Sequence, residues 1–384
     1  MRILMLTSLP ANLDSIKGGV DAVIVNLMNG FELFPDSHLM ILSLAKSDHR
    51  KTVHHAQNIT IEYLPRNRAF GGNLFDFLFY SRKIVREIIQ KYKPDVIHVQ
   101  GATPVLFCLR GLNRDNIVIT QHGIMEEEIK YQKGVLRKLK FFIKKIVERY
   151  YFPAFKNYIF ISRYNQRFLE RIKRKADYKS ALIFNPVNPA FFNVKPHRKF
   201  LKRIMYVGVI NRRKNLLSLL HGLRLIKARV QGIKVDVVGG FRDASYQAEI
   251  LQFIEINGMQ NQVQFRGWKD QDEVLELYKK SDVFVLPSLQ ESLPVSIAEA
   301  MAAGRPVIAS DVGGVAEMFT NEKSGFTFES NNIDELKGCL LKFCNGDTVY
   351  AELAENARLE AISKFHPKSV VKQTLDFYRR MLKN

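Results

Sequence analysis

The stretch Pro287–Gly314, PSLQESLPVSIAEAMAAGRPVIASDVGG, decides the fold. Four apolar residues lead into it, Val283-Phe284-Val285-Leu286, and such a run suits a buried strand that Pro287 and Ser288 end. Pro294 has the fixed φ of a first helical turn, and a helical pattern continues to about Ala303. Gly304 can take the left-handed conformation that stops a helix, Pro306 follows, and Val307-Ile308-Ala309 begins a second buried strand. Strand, loop, helix and strand in that order make a crossover whose loops gather at one sheet edge.

Two carboxylates bracket the helix start, Glu291 in the loop before it and Glu299 one to two turns inside. A helix beginning at Pro294 places Glu299 roughly 7 Å along the axis, at about 1.5 Å per residue, which is the length of a diphosphate. The first-turn amides, except that of Pro294, point outward unpaired at the positive end of the helix dipole. An anion belongs between the two carboxylates.

The pair Glu291-x7-Glu299, followed by Ala300-Met301-Ala302-Ala303-Gly304-Arg305-Pro306-Val307-Ile308-Ala309-Ser310-Asp311-Val312-Gly313-Gly314, resembles the family 4 glycosyltransferases of the GT-B fold. The resemblance implies an α/β protein with two Rossmann-like, doubly wound parallel-sheet domains facing across a cleft. It implies a retaining enzyme that needs no metal or other cofactor, the nucleotide sugar being a substrate. By the same analogy Glu291 contacts the donor sugar at the reacting centre, Glu299 holds the ribose hydroxyls, and Leu293 and Val295 lie against the donor.

At 384 residues the chain is long enough for two domains, since one hydrophobic core rarely grows past ~250 to 300 residues. Its three cysteines, Cys108, Cys339 and Cys344, form no CxxC pair and no disulfide framework, and Cys339 and Cys344 fall on one helix face as packing residues. No run reaches the ~18 apolar residues that a membrane span needs, and MRILMLTSLP is too short and strand-like for a signal peptide. These readings give the expectation of a cytoplasmic location. The formal net charge of +20 is concentrated early: the first 195 residues hold 31 of the 58 basic side chains and 16 of the 38 acidic ones. From Lys130 to Lys179 there are 16 basic residues against Glu148, Glu170 and Asp177. Such a patch seeks nucleic acid or an anionic membrane surface.

Along the chain, Arg2–Leu6 reads as a first strand, and the loop after it carries Gly18-Gly19 before the helical pattern Val20, Val23, Ile24, Leu27. This is not GxGxxG; the family places a Gly-Gly pair here, close to the donor phosphates or the acceptor. Leu39–Leu42 and Ile59–Ile61 read as strands, Asp76–Gln90 as a helix and Pro94–Val99 as another strand, an alternation that predicts a parallel sheet. Ile117–Thr120 delivers Gln121-His122-Gly123 to a strand exit, where open parallel sheets bind ligands, and His122 resembles the family residue that faces the transferred sugar. His54, His55, His98 and His221 have no such context. LRKLKFFIKKIVERYYF, Leu136–Phe152, carries the stripe Leu139, Phe142, Ile143, Ile146, Val147, Tyr150 opposite Arg137, Lys138, Phe141, Lys144 and Lys145. Two readings stand: a surface-bound helix with Phe141 inserting into a membrane, or a stripe packed on its own domain. Nucleic acid is the weaker partner, because no recognised binding module accompanies the charge.

Prolines and basic residues place an interdomain linker at about residues 186 to 202, a hinge for closure of two lobes. The domains read as 1–188, binding acceptor, and 189–365, binding the nucleotide sugar, with a helix over 366–384 crossing back to the first. The second begins with the strand Arg203–Gly208 and the run Asn211-Arg212-Arg213-Lys214-Asn215. Val209 stands where many relatives have Arg; Arg213 and Lys214 resemble the family's alternative phosphate-neutralising pair, with Arg212 a substitute. Asp270-x-Asp272 is read as a helix N-cap and first-turn acids, not as a metal motif. Gly267-Trp268 resembles the family's base-binding segment.

These readings together predict a hexosyl or N-acetylhexosaminyl transferase, with a UDP-sugar favoured over GDP-mannose. The acceptor expected is a lipid-linked oligosaccharide of bacterial O-antigen, capsule or exopolysaccharide synthesis, met at the anionic inner face of the cell membrane. A GT-B phosphorylase, an epimerase-like enzyme and a non-catalytic nucleotide- or nucleic-acid-binding protein are the alternatives.

Overall fold

The computed structural model describes the chain apart from residues 14, 15, 17, 48, 66–80, 102, 103, 132–134, 174–176, 198, 344–346 and 384. The chain divides into two compact units, residues 1–186 with 367–384, and residues 187–366.

In the first unit β1 (Arg2–Thr7), α1 (Gly19–Phe31), β2 (His38–Ser47), β3 (Lys51–Ala56) and β4 (Ile59–Pro65) are followed by α2 (Ser81–Tyr92) and β5 (Val96–Gln100). Then come β6 (Ile117–Gln121), α3 (Val135–Tyr150), β7 (Asn157–Phe160), α4 (Arg163–Ile172) and β8 (Lys179–Leu182). The sheet order is β3-β4-β2-β1-β5-β6-β7-β8. Every residue of β5, β6 and β7 is buried, the mark of parallel strands covered on both faces. One strand departs from the parallel sheet that the sequence predicts. β3 runs antiparallel to β4 at the sheet edge, its exposed, His-containing sequence lacking the apolar run that identifies the others. The beginning of the helix expected over 76–90 lies outside the described residues; the described helix ends at Tyr92.

The second unit contains β9 (Arg203–Val207), α5 (Leu216–Ile226), β10 (Lys234–Val238), α6 (Ala244–Ile256), β11 (Val263–Gly267) and α7 (Gln271–Lys280). These are followed by β12 (Val283–Leu286), α8 (Val295–Ala302), β13 (Val307–Ser310), β14 (Gly325–Phe328), α9 (Ile333–Lys342) and α10 (Asp347–Phe365). Its sheet order, β11-β10-β9-β12-β13-β14, is that of a doubly wound dinucleotide-type sheet, and the order reverses between β9 and β12. Pro294 proves to be the N-cap of α8, extended at φ −71° and ψ 117°, one residue ahead of the helix. Gly304 has the expected left-handed φ of +65°.

The segment expected to be a linker packs on the second unit. Val187 and Phe191 are fully buried, the Arg305 guanidinium donates to Lys195 O, and Val187 N donates to Phe365 O at 3.1 Å. Its prolines and lysines suggest exposure, but Phe191 and Phe192 are buried, which removes their apolar surface from water. The C-terminal helix, Pro367–Leu382, belongs to the first unit and buries Val370, Val371, Leu375 and Tyr378.

Gly208 and Gly239 let the exits of β9 and β10 pass close to each other. A Cβ on Gly239, whose φ is +130°, would stand 2.0 Å from Gly208 O. Gly239→Ala is therefore expected to destabilise the second unit by about 2 kcal/mol or more, seen as a lower melting temperature in thermal denaturation.

Candidate active site

In an open parallel sheet, ligands bind outside the carboxyl ends of the strands where the order reverses. In the second unit those ends are Val207 and Leu286, so the loops 208–215 and 287–294 border the site. Arg213 O accepts from Leu289 N, and Arg213 Nη1 donates to Gln290 O, both at 2.7 Å, which joins the two loops. Asn211 Oδ1 accepts from Lys214 N at 3.0 Å, and Asn215 adopts a left-handed φ of 50° before α5 begins.

This local geometry brings the three predicted charges together. Lys214 Nζ lies 2.6 Å from Glu291 Oε1, and Arg213 Nη1 lies 3.4 Å from Glu291 Oε2. The Lys214 and Glu291 side chains are only 12% and 7% exposed, so the pair is shielded from water. Burial alone would raise the Glu291 pKa, but Lys214 and then Arg213 outweigh it and hold the carboxyl below its ordinary value. Burial lowers the Lys214 pKa against the opposing pull of Glu291. With two cations and one carboxylate ionised, the cluster keeps one uncompensated positive charge. Beside it, α8 starts with no side chain capping its N-terminus. The arrangement suits an anion.

Arg212 does not join the cluster. It pairs with Glu249 at 2.8 Å, and its guanidinium lies 5.1 Å from the Tyr246 ring centroid. Glu299 is half-buried on α8, and burial pushes its carboxyl up to about 7. Leu293 is buried and Val295 half-buried at the start of the same helix. Trp268 is 56% exposed, and its indole lies so close to Gly240 that a Cβ there would meet Nε1 at 2.1 Å. Asp270 is the N-cap of α7 in a full capping box with Glu273, as its position before the apolar pattern predicts.

His122, Gly18 and Gly19 lie in the first unit. Gly18 is the extended N-cap of α1, and a Cβ on Gly19 would meet nothing within 4 Å among the described residues. His122 follows β6, and its Nε2 lies 2.8 Å from Gln100 Oε1. Burial lowers its pKa to about 4, so the ring is neutral. Sequence reading missed the side chains behind it, Gln100, His98 and Tyr378. The one available signal was that His98 and Gln100 alternate along a strand of otherwise apolar residues.

Below His122, Gln121 Nε2 donates to Glu148 Oε1 at 2.5 Å, and Glu148 Oε2 accepts from Met125 N at 2.9 Å. Glu148 is fully buried, and burial pushes its carboxyl up to about 8. It anchors α3 by one face. The stripe expected either to pack inward or to lie opposite an inserting Phe141 does neither in full: Val147 is buried, while Leu139, Phe142, Ile143, Ile146 and Tyr150 are exposed. Phe141 is half-buried, with Lys144 Nζ 5.3 Å from its ring centroid. No described helix is long and apolar enough to cross a membrane.

A doubly wound unit with a cationic cluster at its switch point defines an α/β protein with a site suited to an anionic ligand. Two family models match, Glycosyltransferase Family 4 over residues 17–191 and Glycosyl transferases group 1 over residues 188–360. The chain belongs to the family 4 glycosyltransferases of the GT-B fold. Two uncharacterised glycosyltransferases of Methanocaldococcus jannaschii are similar to it. MJ1607 is 26% identical over 52% of this chain and 54% of that protein, and MJ1178 is 25% identical over 79% and 80%. The UDP-Gal:alpha-D-GlcNAc-diphosphoundecaprenol alpha-1,3-galactosyltransferase of Escherichia coli is 35% identical over 31% of this chain and 30% of its own. The chain thus spans about half or less of the length of several relatives. The structure of Anabaena HepE in complex with UDP covers 99% of this chain and 100% of its own, with a TM-score of 0.72 at 18% identity.

The burial of Glu299 has a measurable consequence. Carboxyl-carbon NMR, with the resonance assigned by its loss in Glu299→Gln, is expected to show a titration midpoint near 7, well above an ordinary glutamate.

Proposed function

We propose that the protein is a retaining glycosyltransferase that moves a hexosyl or N-acetylhexosaminyl group from a nucleotide sugar, a UDP-sugar before GDP-mannose, to a lipid-linked oligosaccharide at an anionic membrane surface. The observation that carries the reading is the Lys214–Glu291–Arg213 cluster at the uncapped start of α8. Breaking the bond between an anomeric carbon and a diphosphate builds positive charge on the sugar and negative charge on the leaving group. Lys214 and Arg213 are already held in place to meet that negative charge, so little reorganisation is needed during the step. Glu291 supports the sugar, Glu299 takes the ribose hydroxyls, Trp268 carries the base, and Leu293 and Val295 line the donor. His122 is assigned to the transferred sugar, and the Gly18-Gly19 turn to the phosphates or acceptor. Retention, the side-chain neutralisation of the diphosphate and these roles rest on family likeness. The UDP in HepE and the UDP-galactose and diphosphoundecaprenol in the name of the E. coli relative support the donor and acceptor classes.

The membrane part of the proposal rests on α3. Its outward face joins Leu139, Phe142, Ile143, Ile146 and Tyr150 in one apolar stripe, with the exposed Lys138 and Arg149 and the half-buried Lys145 along one border. An apolar stripe edged by cations fits the boundary of an anionic bilayer, where each basic group contributes about 1 kcal/mol. This proposal also carries the expected location, cytoplasmic and peripheral at the inner membrane face.

Lys214→Ala is expected to reduce transfer from UDP-sugars to an undecaprenyl-diphosphate-linked acceptor by roughly 10² to 10³ in kcat, measured by product formation. Absence of product from the wild-type protein with UDP-glucose, UDP-galactose, their N-acetylhexosamine counterparts and GDP-mannose would overturn the proposal. In vesicle sedimentation, the protein is expected to bind phosphatidylglycerol-containing vesicles but not phosphatidylcholine ones. Phe142→Ser with Ile146→Ser should release it; unchanged binding would remove α3 from the account.

A further inference from the structure

Side chains from β5, β6 and the C-terminal helix meet in series behind His122. Tyr378 Oη lies 2.6 Å from His98 Nδ1, and His98 Nε2 lies 2.7 Å from Thr120 Oγ1. Gln100 Nε2 lies 3.3 Å from both His98 ring nitrogens and donates to Met5 Sδ at 3.8 Å, while Gln100 Oε1 faces His122 Nε2 at 2.8 Å. Tyr378, His98 and Gln100 are all buried.

The chemistry of these atoms sets the direction of the series. Met5 Sδ can only accept, so the Gln100 amide presents its NH₂ to Met5 and its carbonyl oxygen to His122. That oxygen can only accept, so His122 Nε2 carries the proton. A neutral imidazole has one N–H, which leaves His122 Nδ1 a bare acceptor. This atom is buried and has no hydrogen-bond partner among the described residues. A buried acceptor left without a partner costs free energy unless a donor comes from elsewhere. The Tyr378 ring also meets His98 edge to face at 5.7 Å, which fixes the orientation of the ring on which Gln100 rests.

We propose that Tyr378, His98 and Gln100 are positioning residues that lock His122 as its Nε2-protonated tautomer, leaving Nδ1 to accept a hydrogen bond from a hydroxyl group of the bound sugar. The identity of that ligand rests on the function proposed above; the tautomer lock does not. A residue 280 positions from His98 in sequence thereby controls the chemistry of a strand exit in the same unit.

The test has two independent readouts. Long-range ¹H–¹⁵N correlation spectra of ¹⁵N-histidine-labelled protein, with His122 assigned by its loss in His122→Gln, should show a protonated Nε2 and a bare Nδ1. Gln100→Met and Tyr378→Phe should each convert this pattern to a mixture of tautomers. A wild-type His122 protonated at Nδ1 overturns the proposal, as does a pattern unchanged in both variants; the wild-type spectrum decides even if a variant fails to fold. With UDP-glucose as probe, Tyr378→Phe should lower kcat by about tenfold with KM little changed, and should cost nothing more in a His122→Ala background. An equal loss in both backgrounds means ordinary structural support and overturns the positioning role. The expected spectra without turnover of any UDP-sugar would leave the lock standing and overturn the glycosyl-transfer reading instead.

Discussion

The buried contact of Lys214 with Glu291 is the constraint on which the second unit is arranged. Two opposite charges shielded from water are tolerated only when they meet closely, since removing one partner of such a pair costs about 3 to 5 kcal/mol. To make the contact, the loops after β9 and β12 must stay in register, and the Arg213–Leu289 and Arg213–Gln290 hydrogen bonds hold them there. The sheet reverses its order between those same strands, which separates their connections and leaves room for a ligand. Topology opens the space, and Arg213, the second cation on Glu291, gives it charge.

The same logic operates in the first unit with neutral groups. His122 is met by the amide of Gln100, and the neutral His98 ring lies behind that amide. Glu148 solves a related problem on the other side of the β6 exit, where burial favours the protonated carboxyl and backbone and side-chain N–H groups surround it. Glu148 lies on the buried face of α3 with Val147, and the apolar stripe of Leu139, Phe142, Ile143, Ile146 and Tyr150 is turned out.

Much of this was legible in the residues. The crossover from Val283 to Ala309 follows from its apolar runs, Pro294, Gly304 and Pro306, and the grouping of Arg213, Lys214 and Glu291 follows from their places at strand exits of one sheet. The inward face of α3 was not legible. Helical periodicity identifies an apolar stripe but says nothing about what covers it, and here Glu148 and Val147 are buried while the rest of the stripe is exposed. β3 escaped for a similar reason, because an exposed edge strand needs no apolar alternation.

By itself the sequence determined the fold class, the exits that carry charge and the helix that bears the basic patch. These depend on local patterns and on contacts between loops of neighbouring strands. Tertiary structure alone decided that residues 187–202 pack on the second unit, that Arg212 is engaged by Glu249, and that Tyr378 reaches His98. Each of these joins residues far apart in the chain, and such pairings depend on which surfaces are left to bury once the sheets have formed.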